Sequence, residues 1–593
     1  MSDEIKHDVM REAEDPKNRI SGMYISAHRL PYVSPTPGEL PLIAIGVNKN
    51  KKDKESDTVP VYTAAYLKKI KDCGFNAVQA QIGKLLDVEK GIKACSEAGI
   101  KQVVRRDDLT SLTIECPEVI DEKSERENHI LKTDEETKIA KNDNGDIAAY
   151  RVGQWVKTTQ NHKEEDDKVP PSSNEGGEVT EKEYLSNMEG CGCYQLGDEP
   201  IMRMFPWFAK IKDRILESDN WKRMSFLNLL PRHAEANDGG AGTGIMAGCI
   251  QRRYIDSDEK LSTLPVYNAT QRGRAYQIYL DEFERIFHPS VWCYDSYFIG
   301  DRYPSVEAPR FQDQYFADLE AVRRQALKTG RPFWSTVRAL YRKSKRWTGA
   351  DHEIPENYAE YLGRTMSIEA YCAMAYGAKG LMFWAMMARP NEKDSDNNYQ
   401  WAPLCYDPDK KSTGSEDGQI DAVETRLYPK VKEVVAEVKR YERLFLTSRV
   451  EETGHIHHEY FGYSGLQDVS SFGFLEDIET NGPFCLGHHI TLGGEFIVMV
   501  HTDPLRECLL TVETEDIIKE LTGAEITGYR NGTVKKVPAV GPGGFGNLDS
   551  GNIYELYPDP YPSGDTGGST PSRLRIETIV EPGGWRIFYR ERK

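Results

Sequence analysis

The sequence contains no run of about 18 apolar residues, so no membrane-spanning helix is expected. It also lacks positive charge: 94 acidic residues against 76 basic ones give a formal net charge of −18. That balance argues against nucleic acid as the main partner, because phosphates are held by lysine and arginine, and against an anionic membrane surface. Neutral sugars stay open. Met1 to Ile20 is charged and polar with no apolar segment, so it does not read as a secretory signal. The expectation is a cytoplasmic chain as written, or a secreted or periplasmic one if a signal has been removed. The eleven cysteines are odd in number and irregularly spaced. Cys191 and Cys193 form Cys-x-Cys, not the Cys-x-x-Cys of zinc or redox sites, and the set reads as reduced, buried thiols. There is no fixed repeat of the solenoid kind.

What is present is enough for more than one core. Cores stop growing near roughly 250–300 residues, and this chain has 593. Between about 40 and 450, strand patterns alternate with helix patterns. Strands are expected at Leu42–Val47, Asn76–Ile82, Lys101–Arg105, Gly192–Leu196, Met224–Leu230, Val291–Phe298, Pro332–Arg338 and Gly380–Met386. Helices are expected at Tyr62–Cys73, Leu85–Ala98, 203–217, 272–287, 311–329, 357–377 and Leu427–Leu446, with Gly74, Gly99 and Gly330 as stops. Two charged or glycine-rich stretches, 106–188 and 234–265, read as long excursions from strand ends. Eight short apolar strands, each followed by a helix, imply an α/β fold, a (β/α)8 TIM barrel. From about 449 the pattern turns to alternating runs at Glu495–His501, Cys508–Val512, Glu525–Tyr529, Leu574–Ile579 and Trp585–Tyr589, with Asn531-Gly532 as a hairpin signal. The expected division is an N-terminal extension 1–38, a barrel 39–448 and a C-terminal β-sandwich 449–593.

In such a barrel the site lies where strands end and loops begin. Those ends supply Asn48; Arg105, Arg106, Asp107 and Asp108; Asp198 and Glu199; Asn228, Arg232 and His233; Asp295; Arg338; and Trp384 and Arg389. Carboxylates, amides and arginines converging on one cavity suit polyol recognition. Glycosidic cleavage needs one carboxylic acid to protonate the leaving oxygen and a second carboxylate as nucleophile or base. Glu199 is the candidate acid, although helix capping would also explain it. Asp198 could orient a sugar or tune Glu199, or could form a cap or salt bridge. Asp295 is the best second carboxylate, and a buried structural aspartate is the alternative. Substrate contacts are expected from Asn228, Tyr294, Tyr297, Trp334, Arg338, Trp384 and Trp401; Trp347 is a further aromatic candidate, and for each tryptophan core or loop packing is the competing explanation.

Other signals are weaker. Asp238–Gly244 is glycine-rich but lacks Gly-Lys-Ser/Thr. His455, His457, His458, His488, His489 and His501 match no zinc spacing, so no metal is expected, and no cofactor is implied. Asn268 and Asn531 begin sequons that arise readily by chance.

Gly74-Phe-Asn76, Leu196-Gly-Asp-Glu-Pro200, Leu227-Asn-Leu-Leu-Pro231, Tyr294-Asp-Ser-Tyr297, Pro332-Phe-Trp334 and Ala373–Leu381 occur in that order. This ordered set resembles a group of barrel glycoside hydrolases common in gut Bacteroidota, with a trailing β-sandwich. Gly-Asp-Glu-Pro is similar to the Asn-Glu-Pro of the large clan of retaining barrel glycosidases, and the resemblance implies the acid/base role for Glu199. That clan places its nucleophile glutamate at the end of strand seven. Here Pro-Phe-Trp-Ser-Thr-Val-Arg-Ala-Leu has no carboxylate, and Glu353 lies well past it. Asp295 or a group of the substrate could supply the second function. The expected activity is a glycosidase acting on an oligo- or polysaccharide. A catalytically silent glycan-binding barrel, or an interaction protein using the acidic insert and the β-sandwich, are the other readings. Sequence does not give the oligomeric state.

Overall fold

The computed structural model describes residues 32–46, 64–79, 85–105, 189–200, 205–219, 221–232, 269–298, 308–343, 356–388, 399–411, 420–457, 468–514, 518–522, 532–537, 553–558 and 574–591. Its first part runs β1 (Leu42–Ile45), α1 (Ala64–Asp72), β2 (Ala77–Gln79), α2 (Leu85–Ala98), β3 (Lys101–Arg105), β4 (Cys191–Asp198), α3 (Phe205–Ser218), β5 (Ser225–Leu229), α4 (Ala269–Phe287), β6 (Trp292–Tyr294), α5 (Ala308–Thr329), β7 (Phe333–Arg338), β8 (Tyr341–Lys343), α6 (Glu356–Ala375) and β9 (Leu381–Trp384). Strands β1 to β7 and β9 close into a barrel whose neighbours are all parallel, β9 pairing back onto β1. The fold is therefore a (β/α)8 barrel, and β9 is its eighth staff.

Side chains alternate along each strand, so one set faces inward and the other the helices. Ile43, Ala77, Val103, Cys193, Phe226, Cys293, Trp334 and Met382, one from each staff, share a single buried interior cluster. Their outward neighbours, including Val78, Tyr194, Leu227, Tyr294, Val337 and Phe383, belong to the larger core against the helices. Helices α1 and α2 stop at glycines with φ of +101° (Gly74) and +68° (Gly99), a backbone that side chains with a Cβ avoid.

The sequence reading missed one feature between β9 and the last barrel helices. Short strands β10 (Met387–Ala388), β11 (Tyr399–Trp401), β12 (Leu404–Lys411) and β13 (Ile420–Glu424) form two small sheets, β10-β12-β13 and β8-β11. Helices α7 (Leu427–Arg440) and α8 (Glu442–Thr447) follow.

The second part is a β-sandwich. It contains β14 (Arg449–Ile456), β15 (Asp477–Thr480), β16 (Phe484–Ile490), β17 (Gly494–His501), β18 (Cys508–Thr514), β19 (Lys519–Glu520), β20 (Gly532–Val537), β21 (Ile553–Pro558), β22 (Leu574–Val580) and β23 (Trp585–Glu591). A seven-stranded sheet, β14-β16-β17-β23-β19-β21-β20, packs on a three-stranded one, β15-β18-β22. Phe484, Leu486, Ile497, Met499 and Phe588 of the larger sheet meet Leu510, Val512 and Ile576 of the smaller. The opposite face of the larger sheet, with Phe496, Val498, Trp585 and Ile587, joins the core of the barrel helices. Trp585 stacks on Tyr371 of α6 at 4.1 Å and on Phe445 of α8 at 5.7 Å. At the same junction a Cβ on Gly487 would stand 1.9 Å from the carbonyl oxygen of Ala375, so only glycine fits.

The expected strand at Glu525–Tyr529, both long excursions, Asn268 and Asn531 lie wholly or mainly outside the described residues. Cys73, Cys95, Cys191, Cys193, Cys293, Cys372, Cys485 and Cys508 are free and buried. No described helix is long and apolar enough to cross a membrane.

Candidate active site

Two residues above the apolar ring, alternation brings polar side chains inward at the strand ends. Asn228 follows Phe226, Asp295 follows Cys293, and Arg105 follows Val103. In β4 a register irregularity between Gln195 and Gly197 lets Asp198 pair with Asn228. The Asn228 Nδ2 donates to Asp198 Oδ1 at 3.0 Å, and the Cys293 thiol donates to Asn228 Oδ1 at 3.5 Å. This amide thus links the floor of the mouth to its rim.

Glu199 comes next, with φ of +48°. A residue with a Cβ gives up roughly 1–2 kcal/mol in this region, and such positions cluster at functional sites. Trp221, His288 and His457 share the feature but sit at the foot of the barrel or in the sandwich. The turn is fixed from three sides. Glu199 N donates to Asn228 O at 2.8 Å, Tyr279 Oη donates to Pro200 O at 2.7 Å, and Leu230 N donates to that same hydroxyl at 3.4 Å.

Asp198 and Glu199 are exposed, whereas Asp295 is 8% exposed directly beneath them. The carboxyls of Glu199 and Asp295 act directly on each other. Burial, then the neighbouring Glu199 and Asp198 charges, push Asp295 well above the ordinary carboxylate range. Glu199 is also raised, first by the desolvating walls of the mouth and then by Asp198, while its bond to Asp295 pulls the other way. Repulsion between the two carboxylates and the desolvation of Asp295 both favour a pair that keeps a proton above the ordinary carboxylate range.

Across the mouth, Arg338 ends β7. Its guanidinium lies 5.3 Å from the Tyr297 ring centre and 5.8 Å from that of Tyr341, and its Nε donates to Leu340 O at 3.0 Å. Tyr297 lies 5.9 Å from half-buried Trp384. The Trp384–Ala385 peptide is cis. Trp401 is partly buried on β11, with its ring 5.5 Å from Tyr358. The structure therefore gathers Asp198, Glu199, Asn228, Asp295, Tyr297, Arg338 and Trp384 around one mouth.

Two expected contacts are corrected. Trp334 is fully buried inside the barrel, between Phe226 at 5.3 Å and Tyr32 at 6.3 Å, because it lies near the start of β7. Tyr294 has the outward parity of its strand and is fully buried in the helix-facing core. Neither offers a face to a sugar. Arg232 is also committed elsewhere, ion-paired to buried Asp318 at 3.4 Å. The histidines of the sandwich do not converge. His488 meets Glu495 at 2.6 Å, His489 meets Ser448 and Ala375, and His455 meets Tyr376. Among the described residues no group of three or more His, Cys, Asp or Glu is placed to hold a metal ion. Asn48, Arg106, Asp107, Asp108, His233, Trp347, Glu353, Arg389 and His458 lie outside the described residues.

Sequence reasoning missed Gln79, Gln195 and Glu369. The first two share the inward parity of Ala77 and Cys193, and each has a buried side-chain oxygen without a hydrogen-bond donor. Extending the strand alternation by one step would have found them. Glu369 is a lone acid within the apolar run Ile368–Ala375 of α6, and that contrast was visible in the sequence.

No protein-family model matches the chain, and no curated protein matches it. Several solved structures do align. A family 51 alpha-L-arabinofuranosidase from Bifidobacterium longum shares 7% identity over 95% of this chain and 97% of its own, with a TM-score of 0.36. A catalytic mutant of a GH42 beta-galactosidase from G. stearothermophilus shares 8% over 95% and 100%, with a TM-score of 0.32. A GH5_18 protein from Streptomyces cattleya, in complex with GlcNAc, shares 11% over 67% and 80%, also at 0.32. The fold rests on the barrel's own strand order.

Proposed function

We propose that the barrel is an O-glycosyl hydrolase acting on an oligo- or polysaccharide, with Glu199 as the general acid. The observation that carries this reading is the Glu199–Asp295 carboxyl pair at the exposed end of β4. Its last proton is held above the ordinary carboxylate range, as a general acid working near neutral pH requires. Glu199 protonates the leaving glycosidic oxygen as the bond to the anomeric carbon breaks. The pair, now doubly ionised, takes a proton back from the water that is consumed.

Asp295, buried beside Glu199 and raised with it, is the proton-sharing partner in this reading, and Asp198 or a substrate group completes the chemistry. Tyr297, Arg338, Trp384 and Asn228 bind the sugar, with Trp401 further out.

The second reading is a glycan-binding barrel without turnover. It is favoured by the arginine, in place of a carboxylate, at the end of β7. A panel of glycans, assayed with wild type and Glu199→Gln, separates the two. The hydrolase reading expects turnover by wild type and a loss of about 10²–10⁴-fold in the variant. Equal turnover removes Glu199 as the acid. Calorimetric binding with no product from any bound glycan selects the second reading.

A further inference from the structure

Glu369 stands outside the mouth, on the helix behind β7. It is 1% exposed, on the barrel-facing side of α6. Its Oε1 accepts from Phe298 N at 2.8 Å and its Oε2 accepts from Arg338 N at 2.6 Å. These N–H groups belong to the chain just past β6 and to the last residue of β7, where the parallel ladder runs out of partners. A glutamine could serve only one of them, because its amide nitrogen has no lone pair to offer. One buried carboxyl thus joins two strand ends. The residues it fixes are the neighbours of the aromatic wall. Tyr297 precedes Phe298, and Arg338 lies against the Tyr297 ring. Beyond Arg338, Ala339 N and Leu340 N donate to Trp384 O at 2.6 and 3.0 Å. Tyr297 and Trp384 also meet ring to ring.

We propose that Glu369 is a positioning residue, which sets the Tyr297–Arg338–Trp384 wall of the mouth by holding the backbone of β6 and β7 from behind. The proposal rests on reading the mouth as a sugar-binding cleft. A residue with this role changes how well the wall fits a ring and leaves proton transfer at Glu199 alone. Burial raises the Glu369 carboxyl to about 8, against the two backbone donors and Arg338, which favour its charge. The other titratable groups facing it are Tyr297, Tyr315, Tyr341 and Cys372, all pushed well above their ordinary values by burial. They stay protonated while Glu369 titrates.

The test uses the full chain labelled with 5-fluorotryptophan, the Trp384 fluorine resonance being identified by Trp384→Phe. Glu369→Gln is expected to move that resonance. On any glycan the wild type cleaves, it should raise KM about tenfold with kcat within about threefold. In wild type the resonance should also follow a single transition near pH 8. The transition should persist in a Glu199→Gln/Asp295→Asn background, which removes both raised carboxyls of the mouth. An unmoved resonance in a folded Glu369→Gln protein overturns the proposal, as does a fall in kcat with KM unchanged. If the variant does not fold, a flat wild-type profile from pH 6 to 10 overturns it instead. Absence of any glycan turnover sinks the hydrolase reading alone, because the resonance still decides the role of Glu369.

Discussion

The mouth of the barrel and its foot both bury ionisable groups, carboxyls at the first and bases at the second. At the foot, Lys379 is 1% exposed and donates to Phe445 O and, at 2.5 Å, to Ser448 O. His489 is engaged at both nitrogens, with Ser448 Oγ at 3.1 Å and Ala375 O at 2.9 Å. At the mouth, Asp295 Oδ1 is buried with no hydrogen-bond donor, and Gln79 and Gln195 each leave a buried oxygen in the same condition. Leaving a buried polar atom unmatched costs roughly 1–3 kcal/mol. The foot carries the same cost at Gln102 and at Ser225 Oγ, so the two ends differ in the groups they bury: bases at the foot, interacting carboxyls at the mouth.

The most disruptive way to probe this contrast is at the foot. Gly487→Ala places a methyl group onto the Ala375 carbonyl and should cost about 3 kcal/mol or more. Thermal melting would register it, and a variant that melts with wild type would show that the junction is looser than drawn. Next comes Asp295→Asn at the mouth, which should cut turnover about 10²-fold, since it removes the buried carboxyl that shares a proton with Glu199. It should also stabilise the fold in alkali. The folded protein holds the Asp295 proton above the ordinary carboxylate value, so stability is lost as pH rises through that range. The melting gap between variant and wild type should therefore widen as pH rises above the ordinary carboxylate value. A constant gap would mean that Asp295 is ionised throughout.

Lys379 gives the opposite sign. Burial lowers its ammonium to about 7, so between there and the ordinary lysine value the unfolded chain binds more protons. Wild type should gain stability relative to Lys379→Met as pH climbs from 7 to 9, and parallel melting curves would refute the assignment. The smallest effect is expected from Asn228→Leu. It removes one hydrogen bond to Asp198 and should raise KM about fivefold, near 1 kcal/mol, with little change in melting. No change in KM would leave Asp198 independent of that amide.

Much of the fold was legible because the barrel repeats a simple signal. The staffs at Lys101–Arg105 and Pro332–Arg338, and the glycines that end α1 and α2, follow from local periodicity and backbone freedom. The sheets between β9 and α7 were not legible, because Tyr399–Trp401 finds its partner in Tyr341–Lys343, almost 60 positions back. The candidate site divides the same way. Glu199 and Asp198 carry a motif that points to them. Trp334 and Tyr294 were misread because aromatic composition does not tell which way a strand residue faces; counting parity from the apolar ring does. The interaction between Glu199 and Asp295 had no sequence signal at all. Their separation of nearly a hundred residues is closed only by the curvature of the barrel.

The larger sandwich sheet is covered on both faces, by the smaller sheet and by α6, α7 and α8. This bears on how such a chain can be inherited. A recombination joint at residue 448 would strip the sheet of one of its two coverings and leave Trp585, Phe496 and Ile587 without Tyr371 and Phe445. Any ancestor that acquired the trailing half from elsewhere had to acquire a fitting helical back with it, or rebuild that face residue by residue. The two halves are thus expected to change in step along this seam.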